Sequence, residues 1–165
     1  MKFCGVALLT AIGICCATAS AQDVSAKWKK FEYPNLGFSV TLPGTPDIRT
    51  EKLPPTTMYT VHVNSDIMVN VIVVQYPGGE CEKNLNSIKE EAKGQGFGIQ
   101  EISGAGYSGY EFEDSGPVTG NYVRQLCAHR RLYVIGGSWP AGNSKPDVVT
   151  RFVDSFHLMS SAPAK

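Results

Sequence analysis

The side chains of this chain that could do chemistry are few and scattered. The three histidines are His62, His129 and His157, and no two of them have the spacing of a metal-binding pair such as H-x-x-x-H. Glu111 and Glu113 fall on one face of a predicted strand, where neighbouring carboxylates are as typical of a solvated surface as of a catalytic site. The sequence therefore marks no catalytic, cofactor-binding or metal-binding residue. Distant residues can still converge in space, and an enzyme or metal carrier would draw on His62, His129 and Glu111.

A glycine-rich stretch matches a dinucleotide-binding motif, but its context does not fit. Residues 104–109 read G-A-G-Y-S-G, and the motif requires a helix directly afterwards, so that the helix N-terminus meets the pyrophosphate. The next residues, Tyr110 to Glu113, alternate as in a strand, so we interpret the stretch as a hairpin turn. Ser108 does not form a nucleophile elbow, because Tyr110 stands where that motif requires glycine.

The first 21 residues have the three parts of a secretory signal peptide. Lys2 provides the positive start, residues 6–16 are apolar, and Ala19-Ser20-Ala21 is a small-residue cleavage site. The apolar stretch is shorter than the roughly 20 residues that cross a bilayer as a helix. We predict cleavage between Ala21 and Gln22. The mature protein would then be periplasmic or secreted, with no integral membrane segment.

Cysteine usage depends on that cleavage. Of the five cysteines, Cys4, Cys15 and Cys16 would leave with the signal peptide. Neither Cys15 nor Cys16 fits a lipoprotein site, which needs a small residue just before the cysteine. Cys81 and Cys127 would remain as an even pair in an oxidising compartment, so a disulfide between them is expected. Two free buried thiols, or one reactive thiol, are the alternatives.

The distribution of charge along the chain does not predict nucleic acid binding. The chain carries 15 basic and 15 acidic side chains, and loss of Lys2 with the signal peptide leaves 14 basic side chains against 15 acidic ones. The dense basic stretches, residues 27–30 and 129–131, are short enough to be strand edges or turns. Nucleic acid binding needs a concentrated positive surface, so nucleic acid is not an expected partner.

Strand patterns dominate the mature chain. Strict alternation predicts half-buried strands at residues 37–43 and 57–63, the second with His62 exposed on its polar face. Residues 67–76 are apolar on both faces, which indicates a central strand covered on both sides. Further strand-like segments occur at residues 99–103, 108–114, 121–129 and 132–139.

Two segments have helical spacing instead. Leucine, isoleucine and alanine recur along one side of residues 83–93, and a second apolar stripe runs along residues 145–155, which Ser144 and Asp147 would cap. Short connections favour antiparallel neighbours. The sequence thus predicts an α+β sandwich on a mainly antiparallel sheet, as a single domain over residues 22–159 with a flexible tail at 160–165.

Residues 37–46, G-F-S-V-T-L-P-G-T-P, resemble small exported bacterial proteins of the PsbP-like group. The resemblance spans about residues 28–159 and continues in register at residues 109–112, 132–135 and 151–156. It implies an α-β-α sandwich around a mainly antiparallel sheet, and an accessory or binding role without a shared catalytic site. No functional residue is carried over, and the Cys81–Cys127 pair is not a general mark of the group.

We therefore expect an exported, non-enzymatic accessory or binding domain without a cofactor. Its partner would be an envelope protein or a small ligand. One alternative is a carrier of a small apolar ligand with Trp28 and Trp139 lining a cleft, although such residues more often plug a core. The other is a small secreted metal-binding protein or enzyme.

Overall fold

The computed structural model describes residues 27–63, 67–76 and 78–159. The predicted signal peptide, its predicted cleavage site at Ala21–Gln22 and the predicted tail at residues 160–165 lie outside the described residues. In the described part, the helices are α1 (Cys81–Gly94) and α2 (Asp147–Asp154). The strands are β1 (Lys29–Tyr33), β2 (Phe38–Leu42), β3 (Asp47–Leu53), β4 (Thr56–Val63), β5 (Met68–Gln75), β6 (Gln100–Gly104), β7 (Tyr107–Ser115), β8 (Thr119–Ala128), β9 (Arg131–Pro140) and β10 (His157–Leu158).

These strands form two antiparallel sheets. The large sheet has seven strands in the order β3-β4-β5-β9-β8-β7-β6, and the small sheet has the order β1-β2-β10. Every neighbouring pair is antiparallel, as short connections require. The expected α+β class with a mainly antiparallel sheet is confirmed. None of the helices in the described part is long and apolar enough to span a bilayer.

One face of the large sheet carries the main core. Alternate residues of β5 and β9, such as Val71 and Ile135, are fully buried there, and they share a cluster with Phe38 of β2 and Phe152 of α2. Each fully buried side chain of this kind contributes roughly 1.5–3 kcal/mol. The small sheet and α2 together therefore cover this face.

The other face is covered by α1 over only part of its width. Leu85 of α1 packs with Tyr110 of β7 and Leu132 of β9. Cys81, the first residue of α1, pairs with Cys127 of β8 as a disulfide with a Cα–Cα distance of 5.8 Å. The expected cysteine pair is confirmed, and it holds the start of α1 against the sheet.

The sequence predicts that β5 is covered on both faces, and this prediction is wrong for one face. Val69, Val71 and Val73 are fully buried, whereas Ile72 and Val74 on the opposite face stay partly exposed. The reason is that α1 packs mainly over β7, β8 and β9.

Three further expectations need correction. The sequence patterns did not reveal β1 or β3, so the described chain has more strands than predicted. The cap expected from Ser144 is absent, because Pro146 is the N-cap of α2 and makes no side-chain capping bond. His129 lies outside β8, in the two-residue turn before β9, where its φ is 50° and that of Arg130 is 63°.

We predict that the disulfide stabilises the folded state substantially. It joins residues 46 positions apart, and closing a loop of this size stabilises by roughly 4 kcal/mol in the chain-entropy model. Reductant should therefore lower the free energy of unfolding of the mature protein by about 3–4 kcal/mol in urea titrations. The Cys81→Ala/Cys127→Ala variant serves as the control, since its stability should not respond to reductant. An equal response of both proteins would contradict the prediction.

Candidate functional site

A cleft of about 520 Å³ opens between the large sheet and the segment around β10. Its floor is formed by β6, β7 and β8, and its wall by residues 156–158. The apolar side chains that line it are Ile102, Tyr107, Leu126, Phe156 and Leu158. The small sheet ends at the two-residue strand β10, so the outer strands of the large sheet have no strand above them. We call this feature the β10 cleft.

An ion pair lies in the floor of the β10 cleft. Glu111 of β7 and Arg124 of β8 are cross-strand partners, and Arg124 Nε donates a hydrogen bond of 2.8 Å to Glu111 Oε2. The two side chains are only 16% and 23% exposed, respectively. A pair with this little exposure is screened less by water than a surface ion pair.

Arg124 also links the large sheet to the end of α2. Its Nη2 donates to Tyr122 Oη at 3.4 Å and its Nη1 donates to the carbonyl of Val153 at 3.5 Å. Its Nη2 also lies 3.8 Å from a carboxylate oxygen of Asp154. A cation is favourable at the C-terminal end of a helix, where unpaired carbonyls concentrate negative charge. The guanidinium is therefore fixed from two sides.

The surroundings of the ion pair lower the pKa of Glu111 and raise the pKa of Tyr122. Burial alone would raise the pKa of Glu111, but hydrogen bonds with Tyr122 and Arg124 and the charges of Arg124 and Lys145 outweigh it, so this pKa is lowered. Burial, and then the hydrogen bond with Glu111, raise the pKa of Tyr122 to about 12. At neutral pH the cleft floor thus holds a carboxylate and a guanidinium, and the neighbouring Tyr122 is a neutral phenol.

His157 stands at the rim of the β10 cleft. Its Nδ1 lies 2.8 Å from the carbonyl oxygen of Ser155. Since a carbonyl oxygen can only accept, Nδ1 carries a proton and donates this hydrogen bond. The imidazole therefore adds one polar group to an otherwise apolar wall.

The three residues named for an enzyme or metal site do not meet. Glu111 lies in the cleft floor and His129 in the β8–β9 turn. His62 projects from the opposite face of the large sheet and is 7% exposed, so the expectation that it is exposed is wrong. Its neighbours on β3 and β5 cover it, and its Nε2 lies 3.5 Å from Asp47 Oδ2. Across residues 27–63, 67–76 and 78–159, no group of three or more His, Cys, Asp and Glu side chains is arranged to hold a metal ion.

Glu111 and Glu113 share a strand face as expected, but they have different partners. Lys145 lies 3.1 Å from Glu113 and 4.3 Å from the ring centroid of Tyr122. Glu111 is therefore not part of a carboxylate pair on a solvated surface. Its partner Arg124 carried no sequence signal, and only the register of β7 and β8 brings the two together.

The tryptophans do not line the β10 cleft. Trp139 is buried, and its indole N–H donates to the carbonyl of Asn143 at 3.0 Å. Gly120 lies opposite Trp139 in the register, where a side chain would collide with the indole. Trp28 is partly buried beneath the guanidinium of Arg151, at 4.2 Å. Both residues fill the core or its margin.

The glycine-rich stretch forms the turn between β6 and β7, as expected. Gly106 has a φ of 84°, a left-handed conformation that glycine adopts without strain. A strand follows it rather than a helix. Gly104 and Ala105 line the cleft, so this turn contributes to the site without being a nucleotide motif.

Comparison with known proteins gives only a fold likeness. No family model matches the chain, and no curated protein matches it. A crystal structure from Bacteroides thetaiotaomicron VPI-5482, at 1.50 Å resolution, is similar over 80% of this chain, with a TM-score of 0.52 and 9% sequence identity. The match covers 48% of that protein, so this chain spans about half of its length.

We predict that the ion pair in the cleft floor makes stability depend on acid pH. Folding lowers the pKa of Glu111 below its ordinary value of 4.5, so its contribution is present above that value and is lost as the pH falls through the lowered one. Glu111→Gln should reduce the free energy of unfolding by about 1.5–3 kcal/mol at pH 7, because Arg124 loses its charged partner. The loss relative to wild type should shrink at an acid pH below the lowered pKa of Glu111.

Urea titrations at both pH values measure this difference. Glu32→Gln is the matched control, because the Lys30–Glu32 pair is 62% and 55% exposed and surface pairs contribute little. A penalty for Glu111→Gln that is the same at both pH values would refute the proposed electrostatic origin.

Proposed function

We propose that this chain is an exported, non-enzymatic binding domain that holds an apolar segment of an envelope protein in the β10 cleft. The observation that carries the proposal is the composition of that cleft. Apolar side chains surround a floor whose two charges neutralise each other. Covering such a surface removes apolar area from water, which is favourable, and binding does not require a charged partner.

The walls supply the driving force for binding. Ile102, Tyr107 and Leu158 pack against the core only in part and so keep apolar surface in water. Removing such surface from water is worth roughly 25 cal/mol per Å² before the costs of association. The proposed partner therefore presents aliphatic or aromatic side chains.

The floor supplies orientation. The Glu111 carboxylate accepts hydrogen bonds and the Arg124 guanidinium donates several, while their mutual contact holds both in place. A few fixed polar groups in an apolar pocket are what commonly orient a ligand. A peptide backbone, with one donor and one acceptor per residue, matches both groups.

The protonation states support binding rather than catalysis. An efficient general acid or base has a pKa near the working pH. The pKa of Glu111 in the cleft floor is lowered, and that of the neighbouring Tyr122 is raised to about 12. Neither group is tuned to exchange protons at neutral pH.

The resemblance to the PsbP-like group supports the same role. Under this proposal α1, the large sheet and α2 are the three layers of an α-β-α sandwich, and the small sheet completes the α2 layer. Export follows from the signal peptide predicted at residues 1–21. The partner then belongs to the envelope or the extracellular space.

The size of the cleft favours a second candidate, a carrier of a small apolar ligand. Its volume of about 520 Å³ lies within the range of roughly 300–1,000 Å³ typical of small-molecule sites. In this candidate the lining would be Ile102, Leu126 and Leu158 rather than the tryptophans. Extraction of purified protein with organic solvent, followed by mass spectrometry, would identify such a ligand.

Site-specific photo-crosslinking in intact cells tests the main proposal. A photoreactive side chain at Ala105, which lines the cleft and is exposed, should give a discrete protein adduct. The same side chain at Asn143, exposed but not among the cleft-lining residues, should not give it. Adding Ile102→Glu should reduce the Ala105 adduct at least about fivefold, because an unpaired charge would be buried under the partner.

Val118→Glu is the control for that substitution, since Val118 is 77% exposed and does not line the cleft. It should leave the adduct unchanged. Equal thermal unfolding of the two glutamate variants shows that folding is intact. Adducts of equal yield at Ala105 and Asn143 would refute the proposed cleft, and a ligand released only from protein with an intact cleft would favour the carrier instead.

A further inference from the structure

The outer edge of β3 is open along its whole length. β3 is the terminal strand of the large sheet, and all seven of its residues are exposed. Ile48 and Leu53 are each 52% exposed. In the described part of the chain β3 pairs only with β4, so one row of its backbone groups has no strand beside it. Such an edge is a template for another strand.

We propose that two copies of this chain pair through β3, antiparallel and around a two-fold axis, to form one continuous fourteen-stranded sheet from two seven-stranded ones. Two-fold dimers are the commonest oligomers, and their interface must be self-complementary. The sequence of β3, D-I-R-T-E-K-L, has this property in one register.

Symmetry restricts the possible registers. Opposite residues in an antiparallel pair project from the same face of the sheet, and a two-fold axis normal to the sheet keeps each residue on its own face. Since neighbouring residues alternate between faces, the axis must pass beside a residue that lies opposite its own copy. The central residue can therefore be Arg49, Thr50 or Glu51, but the axis cannot lie between two of them.

The register centred on Thr50 is the one with complementary charges. It places Arg49 of each copy opposite Glu51 of the other, which gives two ion pairs on one face. On the other face, the aliphatic stem of Lys52 lies over Ile48 of the second copy. Opposite-charge pairs across a sheet contribute roughly 0.2–1 kcal/mol each.

The neighbouring registers bring like charges together. With Arg49 at the centre, the guanidinium faces its own copy and Asp47 faces Glu51. With Glu51 at the centre, the carboxylate faces its own copy. Like charges directly opposite each other destabilise a sheet. The charge pattern therefore selects the Thr50 register over those one residue away.

The prolines around β3 select the same centre. Pro46 precedes the strand and Pro54 follows it, and neither has an N–H to donate to a ladder. Thr50 lies midway between them. In the Thr50 register each proline lies opposite the other at the ends of the paired segment, so neither falls among the seven residues that pair.

The monomer leaves these charges available. Among the residues that the structure describes, the ion-pair partner of Arg49 is Asp47 of its own strand, at 3.1 Å, and the two side chains are 65% and 57% exposed. Within the described residues Glu51 has no ion-pair partner. A guanidinium has enough N–H donors to bind two carboxylates at once. Arg49 could therefore bind Glu51 of the second copy and retain its hydrogen bond to Asp47 of its own strand.

This dimer would not obstruct the β10 cleft. The cleft lies over β6, β7 and β8, at the opposite edge of the large sheet from β3. The two clefts of a dimer would face outwards at the far ends of the joined sheet. Pairing through β3 is therefore independent of the proposed binding function.

Sedimentation velocity of the mature protein over a concentration series tests the pairing. Wild type should show a concentration-dependent dimer. Arg49→Glu should weaken dimerisation about tenfold or more, because it replaces two attractive pairs with two repulsive ones. Glu51→Arg should do the same. An equimolar mixture of the two variants should dimerise again, since each like-charged strand then faces its opposite.

Lys29→Glu, on the exposed edge strand β1, is the matched control and should dimerise as wild type does. Ile102→Glu should also leave dimerisation unchanged, which separates this test from that of the cleft. A wild-type protein that stays monomeric at about 1 mM, or a mixture that fails to recover, would overturn the proposal.

Crosslinking reports the register directly. Thr50→Cys should crosslink readily with a short thiol-reactive linker, because directly opposite Cβ atoms lie about 4.5–5.5 Å apart. Ile48→Cys projects from the same face, but its copy would be offset by about 13 Å along the strands. Preferential crosslinking of Ile48→Cys would show that the register is wrong.

Discussion

The fold depends on the exclusion of water from one apolar face of the large sheet. Val71 and Ile135 in the middle of that face are fully buried, and a sheet face this apolar must be covered by another layer. The cover comes from α2 and the small sheet, whose strands β2 and β10 are far apart in sequence. Because β10 contributes only two residues, the cover stops before β6. The same layer that completes the core therefore leaves the β10 cleft.

Arg124 connects that incomplete cover to the sheet beneath it. Its guanidinium donates hydrogen bonds to Glu111 in the cleft floor and to the carbonyl of Val153 near the end of α2. The large sheet and the end of α2 are thus held together by charge and hydrogen bonds as well as by packing. Because each charge has its partner within the fold, the cleft presents apolar walls over a floor with no net charge. This is the physical basis of the proposed binding role.

The two edges of the large sheet differ in kind. The β6 edge adjoins the cleft, and Glu101 on it is engaged by Lys89 of α1 at 3.2 Å. The β3 edge lies far from both helices, and its alternating charges face water. Alternating charge keeps an edge soluble, yet the order of the charges in β3 also makes it complementary to its own copy. The seven residues of β3 can therefore keep this edge soluble and also pair it selectively with a second copy of the chain.

Local patterns in the sequence determined most of the secondary structure, the turn at Gly106 and the cysteine pair, because period, turn chemistry and cysteine count are local or compositional properties. Patterns did not reveal β1 or β3, whose charged residues form strands only because a neighbouring strand offers a ladder. They misjudged His62, which strands β3 and β5 cover from either side. The β10 cleft gave no signal at all, since Arg124 meets Glu111 through strand register and Phe156 reaches the same cleft through the return of the chain. Sequence determined the elements, and tertiary structure alone decided the site, because a cleft is made by contacts between residues that no local pattern relates.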